Sequence, residues 1–283
     1  SDSGVPEACD LAPELMEALD RAALILREAR SVLFITGAGM SADSGLPTYR
    51  GVGGLYNDRT TDAGVPIEVA LSGSMFRRDP AVTWSVLLEL ANAARGKRPH
   101  RGFEILASWE NDPSYGFDRV WILTQNVDGF HLQVGSRHVI AIHGDLSKLE
   151  CTRECGWNER VSDYDHLETE SLPPRCPVCN SPIRPDVVLF GELLPEAKVQ
   201  RLQSELRAGF DVVVSIGTTS VFPYIAQPVA INARLGKPTI EINPDRTEVS
   251  SIVDLRLPLG AARALVELER RLVGANGGPS FGG

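Results

Sequence analysis

The chain has 283 residues, 43% hydrophobic and 23% charged, with 28 Lys and Arg against 37 Asp and Glu for a formal charge of −9. These values fit one large or two modest globular domains and exclude wholesale disorder. An acidic chain is a poor general grip for nucleic acid, no apolar run reaches the ~18 residues of a membrane-spanning helix, and Asp2, Glu7 and Asp10 stand where a signal peptide would carry positive charge. The expectation is a cytoplasmic protein that binds neither nucleic acid nor membrane directly. Arginine outnumbers lysine 24 to 4, a bias that hints at a GC-rich bacterial genome.

Residues 1–10 and 274–283 read as flexible termini. Pro13 to Arg30 has apolar residues at helical spacing: Leu15, Leu19, Ala22 and Leu26. Ser31 to Thr36 is a short apolar run, as a buried parallel strand requires. It leads into Gly37-Ala38-Gly39-Met40-Ser41-Ala42, a G-x-G-x-x-A pattern whose glycines allow a tight turn and close approach to a pyrophosphate. The acid expected ~20 residues further on is missing, because Tyr49 to Tyr56 reads as loop. Pro47 also curtails the following helix. The loop therefore suits a dinucleotide held otherwise than in hydride-transferring enzymes.

Gly51 to Arg98 is loop-rich, then helical from Pro80 to Ala94. Further helices are predicted at Pro99–Ser108, Pro195–Ala208, Ile225–Leu235 and Ala261–Leu272. Strands are predicted at Arg119–Leu123, His138–Ile142, Asp211–Ile216 and Pro238–Ile242. The alternation predicts a Rossmann-like parallel sheet with helices on both faces. The large domain is drawn at 11–50, 99–143 and 191–273, and a small one, a helical module plus a cysteine module, at 51–98 and 144–190.

Five cysteines are too few for a disulfide scaffold. Cys151 and Cys155 form a C-x₃-C pair, Cys176 and Cys179 a C-x₂-C pair, with 20 residues between the pairs. Two close pairs can aim four thiolates at one tetrahedral Zn²⁺, and a closed set of four makes that site structural. Gly156 and Pro177 are turn formers suited to such a knuckle. Two disulfides or four unrelated buried thiols are the alternatives. Cys9 is a bystander.

Polar residues gather where strands end, the usual ligand position in open α/β sheets. They are Thr124-Gln125-Asn126-Val127-Asp128 with His131, His143-Gly144, Gly217-Thr218-Thr219-Ser220 and Asn243. With Gly37 to Arg50, the cysteine quartet and Arg184 to Glu192 they form an ordered set running from Gly37 to Asn243. This set resembles the sirtuin family of NAD-dependent protein-lysine deacylases. The resemblance implies a large dinucleotide-binding domain with a small helical and zinc lobe. It implies NAD as a consumed co-substrate, held by Gly37, Ala38, Gly39, Ala42, Tyr49, Arg50, Gln125, Asn126, Asp128, Gly217, Thr218, Ser220 and Asn243. His143 is the expected catalytic base, with Asn126 beside it in a catalytic role. His100, His138 and His166 read as structural, and His131 as packing or orienting.

The same resemblance makes acyl-lysine proteins or peptides the partners, bound as an added strand along Val187, Val188, Leu189, Phe190, Gly191 and Glu192. Sirtuins that prefer acidic acyl groups carry Tyr and Arg where this chain has Leu87 and Leu90. The expectation is an acetyl or longer uncharged aliphatic group, not preferentially succinyl; Leu87 and Leu90 as plain helix core is the alternative. Two other readings stay open: an NAD-consuming mono-ADP-ribosyltransferase or NAD hydrolase, and a non-catalytic NAD- or ADP-ribose-sensing protein. The sequence leaves the oligomeric state open, a monomer included. Three departures stand out: C-x₃-C where C-x₂-C is usual, Tyr49 for a common Phe, and a segment after Ser220 that is one residue tighter than expected.

Overall fold

The computed structural model describes residues 11–46, 60–61, 64–153 and 155–276. Tyr49, Arg50 and both terminal segments lie outside the described residues, apart from 274–276 at the end of the last helix. Six strands form one parallel sheet: β1 (Ser31–Thr36), β2 (Arg119–Thr124), β3 (Val139–Ala141), β7 (Val212–Ile216), β8 (Thr239–Ile242) and β9 (Leu255–Leu257). Their order is β3-β2-β1-β7-β8-β9. The chain therefore builds outward from β1 in both directions, and the order reverses between β1 and β7. Thr36 at the end of β1 is in register with Thr124 on one side and Ile216 on the other.

The sheet is buried on both faces. Alternate residues Val32, Phe34, Ile122 and Val214 pack against α1 (Pro13–Glu28), α6 (Arg101–Asn111) and α10 (Ala261–Asn276). The intervening residues Leu33, Ile35, Leu123 and Val213 pack against α8 (Glu196–Ala208) and α9 (Pro223–Arg234). Two-sided burial explains why these strands are continuous apolar runs. No helix among the described residues is long and apolar enough to cross a membrane.

A second sheet is antiparallel, in the order β5-β4-β6, from β4 (Gly144–Cys151), β5 (Asn158–Arg160) and β6 (Ile183–Val187). It packs with α3 (Ile67–Ala70), α4 (Gly73–Arg78) and α5 (Pro80–Ala94) around a separate hydrophobic cluster. Trp84 of α5 is fully buried there, and its indole N–H donates to the Ile183 carbonyl at 2.9 Å.

The sequence reading misses β9, a three-residue edge strand, and the small-sheet strands β4, β5 and β6, and it places several helix ends differently. Helix α6 starts at Arg101 because His100 caps it, its Nδ1 accepting from the Gly102 N–H at 3.0 Å. Helix α1 stops at Glu28 because Ala29 turns to extended backbone with ψ 141°. The short helices α2 (Ala38–Ala42) and α7 (Phe130–Gln133) follow β1 and β2.

Candidate active site

The site lies where β1 and β7 end. The Gly37 N–H donates to the Ile216 carbonyl at 3.1 Å, and the Gly39 N–H to the Gly217 carbonyl at 2.8 Å. The two loops interlock so closely that only glycine fits. A Cβ on Gly37 or Gly39 would stand 2.7 Å from backbone of Gly217, and one on Gly217 would stand 2.3 Å from the Met40 nitrogen. Gly217 also adopts φ +64°, the left-handed region.

Polar side chains converge beside this cradle. Asn126 is 7% exposed, and its Nδ2 donates to the Gly37 carbonyl at 2.8 Å and to Ser41 Oγ at 3.2 Å. Ser41 Oγ in turn donates to Asp128 Oδ2 at 2.6 Å. Burial pushes the Asp128 carboxyl up, against the opposing hydrogen bonds from Ser41 and the Phe130 N–H. On the other side, Gln125 Nε2 donates to Thr218 Oγ1 at 2.6 Å, and that oxygen also accepts from the Ser220 N–H at 3.1 Å. Asn243 Nδ2 reaches the Thr218 carbonyl at 3.4 Å. Ser220 has φ +59°, and its buried Oγ has no partner among the described residues. An orphaned buried hydroxyl beside a side-chain-free cradle fits a phosphate- and ribose-bearing dinucleotide. Ala38, Ser41, Asn126 and Asp128 line a cavity of about 1220 Å³. Ala42 closes α2. Ser41 is a site residue that the sequence reading does not single out, although it lies within the glycine motif itself.

His143 stands between β3 and β4. Its carbonyl accepts from the Val188 N–H at 2.8 Å. Gly144 follows with φ +97°, where a Cβ would lie 2.0 Å from the Asp186 carbonyl. Burial is the main cause that pushes the His143 imidazole below its ordinary value. A hydrogen bond to the Gln125 backbone opposes it, and the positive charge of Lys198 adds to it. Its Nε2 lies 2.5 Å from the hydroxyl of Tyr224. His131 is different. It is 2% exposed, its Nε2 meets Thr36 Oγ1 at 2.8 Å, and burial drives it down to about 3. His100 caps α6, and His138 stacks on Trp121 with centroids 4.8 Å apart.

The residues expected along the substrate divide. Val187, Val188, Gly191 and Glu192 line a second cavity of about 1050 Å³, with Phe76 and Arg184. Leu189 is instead buried in the small-lobe cluster. The backbone of Phe190 is already paired, its N–H donating to the Leu71 carbonyl and its carbonyl accepting from the Gly73 N–H, both at 2.9 Å. Glu192 accepts from Arg184 at 2.7 and 3.0 Å and from the Leu189 N–H at 2.8 Å. Burial alone would raise its carboxyl, but these partners outweigh it and hold Glu192 below the usual carboxylate range. Leu90 lines the cavity of Asn126 and Asp128, whereas Leu87 is 2% exposed within the small-lobe core.

The four cysteines converge. Cys151 and Cys179 have sulfurs 3.4 Å apart, Cys155 and Cys176 3.6 Å, and all four ligand atoms lie within 4.8 Å of one another without a disulfide. A tetrahedral zinc with bonds of ~2.3 Å sets sulfurs at ~3.8 Å, so the quartet fits that ion. The N–H groups of Arg153 and Val178 donate to the sulfurs of Cys151 and Cys176 at 3.4 Å.

Comparison with known proteins places the chain among its relatives. The chain is 50% identical over 234 residues to NAD-dependent protein deacylase 2 of Pseudomonas aeruginosa, covering 82% of this chain and 88% of the relative. Among solved structures, it is similar to a Sir2 homologue in complex with NAD, with TM-score 0.77 and 32% identity over 90% of this chain and 94% of the other. It is also similar to a Sir2 variant solved with a deacetylated p53 peptide and 3′-O-acetyl ADP ribose, with TM-score 0.76 and 25% identity over 93% and 99% of the two chains. The Sir2 family model matches residues 37–223, from the glycine cradle to the start of α9, and the chain belongs to the Sir2 family.

Proposed function

We propose that this chain is an NAD-dependent protein-lysine deacylase. It moves an acetyl or longer uncharged aliphatic acyl group from lysine to ADP-ribose, releasing nicotinamide and O-acyl-ADP-ribose. The observation that carries this reading is the buried Asn126–Ser41–Asp128 chain wrapped on the glycine cradle, with the His143 imidazole at the neighbouring strand end. When bound, NAD supplies the ribose carbon that takes the acyl oxygen as nicotinamide leaves. Asn126 and Asp128 hold the nicotinamide ribose and carboxamide, while Gln125, Thr218, Ser220 and Asn243 hold phosphate and the second ribose. His143 removes a proton from a ribose hydroxyl at Nε2. Burial favours its neutral, proton-accepting form.

The peptide adds as a strand beside β6, which is an edge of the small sheet and borders the second cavity through Val187 and Val188. The quartet holds a structural zinc, and four unoxidised thiols suit a reducing cytoplasm. The separate small-lobe cluster supports division into a large NAD-binding domain and an inserted small domain.

The acyl preference follows from the cavity wall. Leu90 offers a succinyl carboxylate no partner; of the three cations lining the same cavity, Arg95 pairs with Asp165, Arg160 pairs with Asp145, and Lys97 is exposed to solvent. Burying that charge unpaired is costly. A panel of acyl-lysine peptides tests this: turnover on acetyl- or octanoyl-lysine should exceed that on succinyl-lysine at least tenfold in kcat/KM. Faster turnover on succinyl-lysine would sink the assignment.

A further inference from the structure

Strand β8 carries a buried carboxylate that the chemistry above does not use. Glu241 is 1% exposed. Its Oε1 accepts from Arg256 Nε at 3.0 Å, its register partner on β9, and from Ser250 Oγ at 2.5 Å. Its Oε2 accepts from the Thr247 hydroxyl. These three donors belong to the stretch that leaves β8 at Asn243 and returns as β9. Two further bonds tighten it: the Thr247 N–H donates to Ser250 Oγ at 2.7 Å, and Arg256 Nη2 donates to the Asp245 carbonyl at 3.0 Å. The turn is folded back onto the carboxylate. From the same turn the Glu248 N–H donates to the Thr219 carbonyl at 3.1 Å. That carbonyl directly precedes Ser220, whose φ of +59° is a region that side chains disfavour.

We propose that Glu241 is a positioning residue for NAD: its carboxylate clasps the turn at 244–250, and that turn holds the Thr219–Ser220 peptide and Asn243 where the phosphate and second ribose bind. This rests on Thr218, Ser220 and Asn243 holding that part of NAD. A pair made only to join β8 to β9 would need Arg256 alone. The two hydroxyls come from the turn, and a carboxylate, which only accepts, suits a point where three donors converge. Asn243 is tied to the same stretch. Its N–H donates to the Leu257 carbonyl at 3.1 Å, and its Oδ1 accepts from the Asp245 N–H at 3.0 Å, which leaves Nδ2 to reach the Thr218 carbonyl. Ser220 depends on the clasp most. Its hydroxyl is buried without a partner among the described residues, and its backbone is in a disfavoured region. Without the Glu248 bond the peptide before it is free to relax and carry the hydroxyl away from the cradle.

The test loosens the clasp in the full chain by two routes. Thr247→Val combined with Ser250→Ala removes both hydroxyl donors and leaves the Glu241–Arg256 pair in place. Glu241→Gln keeps the shape and removes the charge. Calorimetry with ADP-ribose reads the site without turnover, and steady-state kinetics separate the KM for NAD from kcat. By either route the ADP-ribose dissociation constant and the KM for NAD should rise at least about fivefold, while kcat at saturating NAD and the KM for an acetyl-lysine peptide stay within about twofold. ADP-ribose affinity within about twofold of the wild type in the Thr247→Val, Ser250→Ala chain would overturn the role of Glu241. So would a loss of kcat and of peptide binding in step with NAD affinity, the mark of a merely structural pair. Asn243→Ala is the reference: wild-type ADP-ribose affinity in that variant would overturn the placement of NAD on which the clasp depends.

Discussion

Two histidines show how surroundings decide what one side chain does. His131 packs on Phe103 with ring centroids 4.8 Å apart, is fixed by Thr36 and has an Nδ1 without a partner among the described residues. Its folded value of about 3 lies far below that of a free imidazole, near 6.5. The unfolded chain therefore binds the extra proton first. Its contribution to stability is complete above about pH 6.5 and is lost progressively as pH falls toward 3, at up to about 1.4 kcal/mol per pH unit. Denaturant titrations at pH 7 and pH 5 check this. His131→Gln should flatten the pH dependence by about one proton, and an unaltered slope would contradict it. His143 sits half-buried, with Nε2 beside the Tyr224 hydroxyl. The sequence distinguishes the two only through motif context, since both follow a strand. Tyr224 was invisible for another reason: 81 positions separate it from His143, and only the fold closes that gap. Ser41 is hidden differently, as a small polar residue inside a glycine motif, where only the fold brings it to Asn126 and Asp128.

At the scale of elements, the interlocked loops after β1 and β7 dominate. Gly217→Ala would place a methyl 2.3 Å from the Met40 nitrogen in a backbone with φ +64°, so the two loops must part. NAD affinity measured by calorimetry should drop at least tenfold. Gly236→Ala is the control: it has a similar φ of +67° with nothing within 4 Å, so it carries backbone strain alone and should leave affinity unchanged. Equal affinities for Gly217→Ala and the wild type would contradict the interlock. Strands β1, β2, β7 and β8 were legible because two-sided burial writes them as unbroken apolar runs. Strand β9 was not, because Leu-Arg-Leu at the sheet edge carries no such run. The knuckle was legible because metal ligands must sit at short fixed spacings. Its packing was not: Cys151 and Cys176 share one buried cluster with Trp84 of α5, a contact across the insertions.

Over the whole molecule, β1 is the hinge of the architecture. The chain leaves it through the small-lobe helices α3 to α5 to reach β2 and β3, returns through the small sheet, and completes the large sheet on the other side with β7 to β9. That topology brings residues near 37, 126, 143 and 218 to one end of the sheet, which explains why their polar side chains appear dispersed in the sequence. The cavity wall was only half legible, because helical spacing alone cannot tell Leu87, buried in the core, from Leu90, which also lines the cavity. The central claim is that this assembly transfers an acyl group to ADP-ribose. Mass spectrometry of an acetyl-lysine peptide incubated with NAD and the full chain tests it most directly. The account predicts free lysine peptide, nicotinamide and O-acetyl-ADP-ribose in equal amounts, and a loss of at least about 100-fold in His143→Ala. ADP-ribosylated protein or free ADP-ribose with the acetyl-lysine intact would contradict it, as would an absence of nicotinamide release.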